Sequence, residues 1–242
     1  MTDPAGLTIG TLALCSLFGN AMACFECVQL GRNFDRDFQT CQIELGDAYL
    51  RYTRWGKAVG LSNDSAQSIT TLDGRILSSE DARQIEPRLR QIETVFEEAK
   101  SVSKGLNHQT PPATANNGAQ TNLDDLERGF HGMHEGMENL ALNHVPKTKT
   151  KLTSKVKWAL HDKKHFEDLV KNLNDLINGL TNEFPAGKAI QRRLCAEEAA
   201  KLCADGAVER IRAIIANQDP DLDAALARAL ETPVRVIRLS FR

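Results

Sequence analysis

The run from Pro4 to Phe25, PAGLTIGTLALCSLFGNAMACF, carries no charged side chain, and any fold of this chain must either bury it or place it in lipid. As a helix at about 1.5 Å per residue, its 22 residues reach roughly 33 Å, enough for a hydrocarbon core of about 30 Å. A secretory signal needs a basic stretch ahead of the apolar one. Here Met1, Thr2 and Asp3 precede Pro4 and the first basic residue is Arg32, so a signal peptide is not supported. On a helical wheel Leu7, Leu14, Phe18, Ala21, Phe25 and Val28 share a face that a bundle core can bury. Thr8, Cys15, Ser16, Gly19 and Met22 lie opposite, which leaves the helix weakly amphipathic and able to stay in a soluble bundle. Gly6 and Gly10 have GxxxG spacing and, with Gly19, offer the close approach that membrane helices use. The expectation is a conditional membrane element. Leu7, Leu12, Leu14, Leu17, Phe18, Met22 and Phe25 would meet lipid, and Gly6, Gly10 and Gly19 would meet neighbouring helices.

The rest of the chain reads as helices. Phe34, Phe38, Cys41, Leu45, Ala48 and Tyr52 recur at three- and four-residue spacing, and Ile85, Leu89, Ile92, Phe96 and Ala99 repeat the pattern near a Pro87 suited to a first turn or a kink. Leu123–Leu142 is helix-like despite three glycines. Lys151–Pro185 gives the strongest stripe, through Phe166, Leu169, Leu173, Leu176, Leu180 and Phe184. Two or three short helices follow, broken at Asp219-Pro220, while Gly105–Asn122, with Pro111-Pro112, reads as a mobile loop. The spacing predicts an all-α multi-helix bundle over residues 1–230. The tail, 231–242, alternates Val234, Val236, Leu239 and Phe241 with Arg235, Arg238, Ser240 and Arg242, and is expected to be extended or disordered.

Six cysteines in 242 residues are too sparse for a disulfide-stapled secreted scaffold and suggest a reducing cytoplasm. Cys24 and Cys27 form a CxxC, but without a second pair or a βαβ setting they read as small core residues. His131 and His134 with Glu135 and Glu138, or His161 with His165, have spacings that could hold a metal. Neither is the HExxH signature, and Lys163 and Lys164 between the second pair disfavour a dication, so no metal or other cofactor is expected. The chain contains no Walker loop, nucleophile elbow or dinucleotide fingerprint, so an enzyme is poorly supported. A net charge of -2 gives no general drive towards nucleic acid. Locally, however, Lys147, Lys149, Lys151, Lys155, Lys157, Lys163 and Lys164 are opposed only by Asp162, and each could contribute about 1 kcal/mol at an anionic leaflet. The same run also suits a solvated face.

The stretch FGNAMACFECVQLGRNFDRDFQTCQIEL, then RYTRWGKAVGL, then KWALHDKKHFEDLVKNLNDLINGLTNEFP, resembles the HeLo domain, the N-terminal helical domain of fungal heterokaryon-incompatibility S-type proteins of the prion-inhibition and propagation family. The resemblance implies a helical bundle, cytoplasmic at rest, that permeabilises the plasma membrane in programmed cell death. In that family the N-terminal helix is released, inserts and oligomerises, and the matching segment here is Leu7 to Phe25 with its flank to Phe34. It also implies membrane lipid as the target on activation, a homo-oligomer when active, and a sensor or amyloid-bearing partner protein. This chain shows no paired amyloid pseudo-repeats, so the expectation is a truncated form, a domain normally attached to a different sensor, or a form regulated through a partner. The rival expectation is a non-permeabilising module that assembles with or inhibits a relative.

Overall fold

The computed structural model describes residues 4–30, 38–61, 77, 79–106, 123–144, 158–160, 162–184, 187–203 and 208–231, with the side chains of the first helix described from Ala13. These residues build α1 (Pro4–Cys27), β1 (Val28–Leu30), α2 (Phe38–Val59), α3 (Ser79–Leu106), α4 (Leu123–Asn143), β2 (Trp158–Leu160), α5 (Lys163–Glu183), α6 (Lys188–Leu202), α7 (Val208–Ile215) and α8 (Pro220–Glu231). The all-α bundle is as expected, with one addition. β1 and β2 form a short parallel ribbon, Val28 against Trp158 and Leu30 against Leu160.

Helix α2 is the axis. Every residue from Leu45 to Gly56 is buried, because α1, α4, α5, α6 and α7 all pack around it. A single stripe was therefore too narrow a reading of this helix: polar positions off the stripe, Asp47, Arg51 and Arg54 among them, are also inside. The helix stops at Gly60, whose φ of 86° needs no Cβ. There the Gly60 N–H donates to the Lys57 carbonyl at 3.3 Å and the Leu61 N–H to the Gly56 carbonyl at 2.8 Å.

Two boundaries differ from the sequence expectation. Val28 leaves the helix and enters β1. The strong pattern from Lys151 does not make one helix, since Trp158–Leu160 is spent on β2 and α5 begins only at Lys163. Asp162 sets that start, its carboxylate accepting from the His165 backbone N–H at 2.9 Å. Pro87 lies past the first turn, inside α3 on its exposed side, the placement that the kink alternative allowed. Most of the expected loop at Gly105–Asn122 and all but the first residue of the 231–242 tail lie outside the described residues.

The α5 stripe packs as read: Phe166, Leu169, Leu173, Leu180 and Phe184 are buried and Leu176 is half-buried. At the last break Asp219 caps α8, accepting the Leu222 N–H at 3.1 Å, with Pro220 in the first helical position, where a missing N–H costs nothing.

Candidate functional site: the seat of the first helix

Helix α1 lies between α3 and α2, and its described inner residues are Leu14, Leu17, Phe18, Ala21, Ala23, Cys24, Phe25 and Cys27. Ala13, Ser16 and Asn20 are exposed, and Cys15, Gly19 and Met22 are half-buried. The two phenylalanines are the anchors. Phe18 stacks on Tyr52 at 4.7 Å between centroids and lies 6.4 Å from Trp55; Phe25 stacks on Tyr49 at 5.1 Å and meets Phe96 of α3 edge-on at 4.8 Å. Such pairs contribute about 0.5–1.5 kcal/mol each beyond the burial of their area. Gly56 makes room for this seat. A Cβ built there falls 2.9 Å from Phe18 Cε1 and nearer still to Cζ and Cε2.

Two tyrosines add polar ties. The Tyr52 hydroxyl donates to the Phe18 carbonyl at 3.3 Å, and the Tyr49 hydroxyl donates to Glu26 Oε1 at 3.1 Å. Burial raises both hydroxyl pKa values, and Glu26 and Glu138 raise that of Tyr49 further, so both tyrosines stay neutral donors. Glu26 is the sole charged residue of α1.

Behind the seat, on the same helix as Tyr52 and Trp55, Arg54 holds a buried ionic centre. Its Nε lies 3.0 and 2.9 Å from the two Glu198 oxygens, its Nη2 lies 2.5 Å from Glu198 Oε2, and its Nη1 lies 2.8 Å from Asp219 Oδ2. Asp219 thus joins two elements, one oxygen capping α8 and the other on Arg54. Arg51 reaches the other way, donating to Asn174 at 2.9 Å and to Asn178 on α5. Sequence reading missed this centre because its members are scattered. The available signal was Asp47, Arg51 and Arg54 at one-turn spacing within a helix otherwise rich in aromatics.

His144 completes the centre from the end of α4, its Nε2 lying 3.3 Å from Glu198 Oε1. Desolvation, followed by the charges of Lys57, Arg54 and Lys201, lowers its pKa to about 3. The unfolded chain takes up this proton below about pH 6.5 and the folded chain refuses it, so His144 removes stability as the medium acidifies. His144→Gln is therefore expected to gain about 2 kcal/mol over the unaltered chain between about pH 7.5 and pH 5, read from denaturant midpoints at each pH. An unchanged difference would show that His144 is free to protonate in place.

Of the other expected sites, Leu14, Leu17, Phe18 and Phe25 come together in the seat, Met22 at its edge. Gly6, Leu7, Gly10 and Leu12 lie in α1 ahead of the described side chains. Gly19 makes no close contact, since a Cβ there would meet nothing within 4 Å. Lys147, Lys149, Lys151, Lys155 and Lys157 fall outside the described residues. Lys163 and Lys164 are exposed in the first turn of α5, Lys163 lying 3.7 Å from Glu167. Cys24 and Cys27 are buried and no disulfide joins the six cysteines. His134 lies 3.8 Å from Glu138, the His131 side chain and all of His161 are outside the described set, and His165 Nδ1 lies 2.7 Å from Asp162. Among the described residues no group of three His, Cys, Asp or Glu could hold a metal, and no helix is long and apolar enough to cross a membrane.

Comparison with known proteins gives one consistent answer. The family model HeLo, described as prion-inhibition and propagation, matches residues 6–214. Heterokaryon incompatibility protein S of Podospora anserina is 29% identical over 199 residues, and heterokaryon incompatibility protein s of the same fungus is 30% identical over 186. These matches cover 82% and 76% of this chain but 65% and 61% of the relatives, so the chain spans less than two thirds of either. The solved HET-s N-terminal domain superposes with a TM-score of 0.72 at 25% identity, covering 90% of this chain and 97% of that one; a double mutant of that domain gives 0.73.

Proposed function

The chain belongs to the HeLo, prion-inhibition and propagation family, and from that premise we propose that it is an inducible cell-death effector of the heterokaryon-incompatibility type that permeabilises membrane when α1 leaves its seat. The observation that carries the reading is the seat itself. The anchors Leu14, Leu17, Phe18 and Phe25 are held by packing and two tyrosine hydrogen bonds, without a covalent tie. Burial of such side chains contributes about 2 kcal/mol each, and a bilayer offers the same residues a comparable gain. Exchange of one apolar setting for the other is thus energetically accessible, provided a trigger favours the released state. Gly19, open in the bundle, supplies the close approach that an oligomer of inserted helices would use.

The lysines support surface attachment. Lys163 and Lys164 sit exposed at a helix N-terminus, where cations are disfavoured by the helix dipole, with Lys163 offset by its pair with Glu167. Lys157 directly precedes β2, and β2 pairs with the strand that follows α1. The lysine run is therefore connected through the chain to the base of the helix that would insert. In this reading the protein is cytoplasmic at rest, meets plasma-membrane lipid on activation, and acts as a homo-oligomer triggered through a sensor or amyloid-bearing partner.

Dye release from anionic liposomes tests the proposal, with the chain lacking residues 1–30 as the inactive reference. A charge at Leu14 or Leu17 would also break the core, since these are 2% and 7% exposed. Ser16 is exposed in the bundle and separates the two effects. Ser16→Asp is expected to keep the native denaturation midpoint and to lose leakage at least about tenfold, because an acid at the bilayer centre costs about 2.5–3.5 kcal/mol. A folded Ser16→Asp chain that leaks fully would sink the mechanism. Intact liposomes with the unaltered, partner-activated chain would favour the non-permeabilising assembly module.

A further inference from the structure

Asp47 is fully buried on α2, and neither of its carboxylate oxygens has a hydrogen-bond partner. It lies one turn before Arg51 and two before Arg54, on the same side of the helix. The charged groups that face it are Arg51 and Arg54 on α2, Glu198 on α6 and Asp219 in the turn before α8. The further cations near the centre, Lys57 on α2 and Lys201 on α6, are exposed and act on Glu198 and His144; α5 contributes the neutral Asn174 and Asn178 to Arg51, α4 contributes neutral His144 to Glu198, and Arg212 of α7 is paired with Asp223 at 2.7 Å. Two guanidiniums and two carboxylates already balance. An ionised Asp47 would be a third negative charge, unsolvated and with no cation bonded to it, which is among the costliest burials a core can hold.

We propose that Asp47 is protonated in the closed bundle and surrenders that proton to solvent when α6 and the α7–α8 turn part from α2, so that opening is a proton-releasing step. The carboxyl O–H bond breaks, its electron pair stays on the carboxylate oxygen, and water entering the opened centre takes the proton. Burial, followed by the Asp219 charge, raises the Asp47 pKa well above the ordinary carboxylate range, in the same direction. The stability this group contributes is complete below the unfolded value near 3.8 and is lost as pH rises towards the folded value. Across that window the opening constant rises by about tenfold per pH unit. Reclosure needs the proton back, so an opened bundle is held open by its own newly charged Asp47. This device acts whether or not α1 goes on to enter a bilayer.

The direct test counts protons on the unaltered chain. At about pH 7.5 His144 is neutral in both states, and Cys195, its thiol pushed up to about 12, remains a thiol when folded and largely so when unfolded. Unfolding by urea in weakly buffered solution, followed with a pH indicator, is expected to release close to one proton per chain; release of none overturns the proposal. Asp47→Asn keeps the shape of the neutral acid. It is expected to remove the rise in the opening constant with pH that the unaltered chain shows above the ordinary carboxylate range, read by native-state hydrogen exchange. A variant that folds and keeps the slope of the unaltered chain also overturns it.

Discussion

Gly56→Ala is expected to destabilise the otherwise native chain by about 1–3 kcal/mol, and to stabilise it by up to about 1 kcal/mol once Phe18 is replaced by Ala. The inversion follows from the seat. Alanine is the better helix former, so in open space the exchange would favour folding. Here the added methyl meets the Phe18 ring, which is 1% exposed and backed by Tyr52 and Trp55, so the ring has no free direction in which to move. Phe18→Ala alone should cost about 3–5 kcal/mol, and the second exchange then fills part of the space it leaves. Urea midpoints of the four chains in this cycle give the coupling directly. Additive effects would mean that Gly56 does not face Phe18, and the geometry of the seat would have to be abandoned.

Arg54→Leu is expected to have the larger effect, about 3–5 kcal/mol, because it leaves Glu198 and Asp219 buried without their cation. Arg54→Lys should recover only part of the loss: an ammonium supplies the charge but not the planar fork that grips both Glu198 oxygens while reaching Asp219. The loss is not confined to the C-terminal helices. Arg54 is flanked on α2 by Tyr52 and Trp55, the side chains under Phe18, so a disturbed centre also loosens the seat of α1. Denaturation followed by tryptophan fluorescence checks this through Trp55, with Trp158 in β2 as the second reporter. Lysine restoring full stability would contradict the bidentate geometry.

Much of this was legible in the sequence because it rests on local spacing. Leu14, Phe18, Ala21 and Phe25 declared the inner face of α1, and the stripe from Phe166 to Phe184 declared α5. Cys24 and Cys27 are inside, as their reading as small core residues expected, and Ala23 joins them, a small side chain that leaves little periodic trace. What the text could not show is pairing between distant positions. VQL and WAL are too short to alternate visibly, and they become strands only because they meet across the bundle. Arg54, Glu198 and Asp219 carry the composition of a solvated surface, and only the crowding of five helices around α2 puts them indoors. The family resemblance located the RWG segment correctly without indicating that its arginine, Arg54, is the hub.

The ribbon has a geometric consequence for the proposed release of α1. Val28 follows Cys27 directly and is paired with Trp158, so while β1 and β2 stay together the helix is an arm on a fixed fulcrum. With 24 residues at about 1.5 Å each, the arm measures about 36 Å. Pro4, at the far end of the arm, then stays within that distance of the ribbon. A bundle resting on a bilayer by the far side of its body would hold the arm out of range, whereas one resting near the ribbon brings all of it within reach. In the proposed mechanism the two short strands would act as an orientation filter, deciding which landings on a membrane are productive.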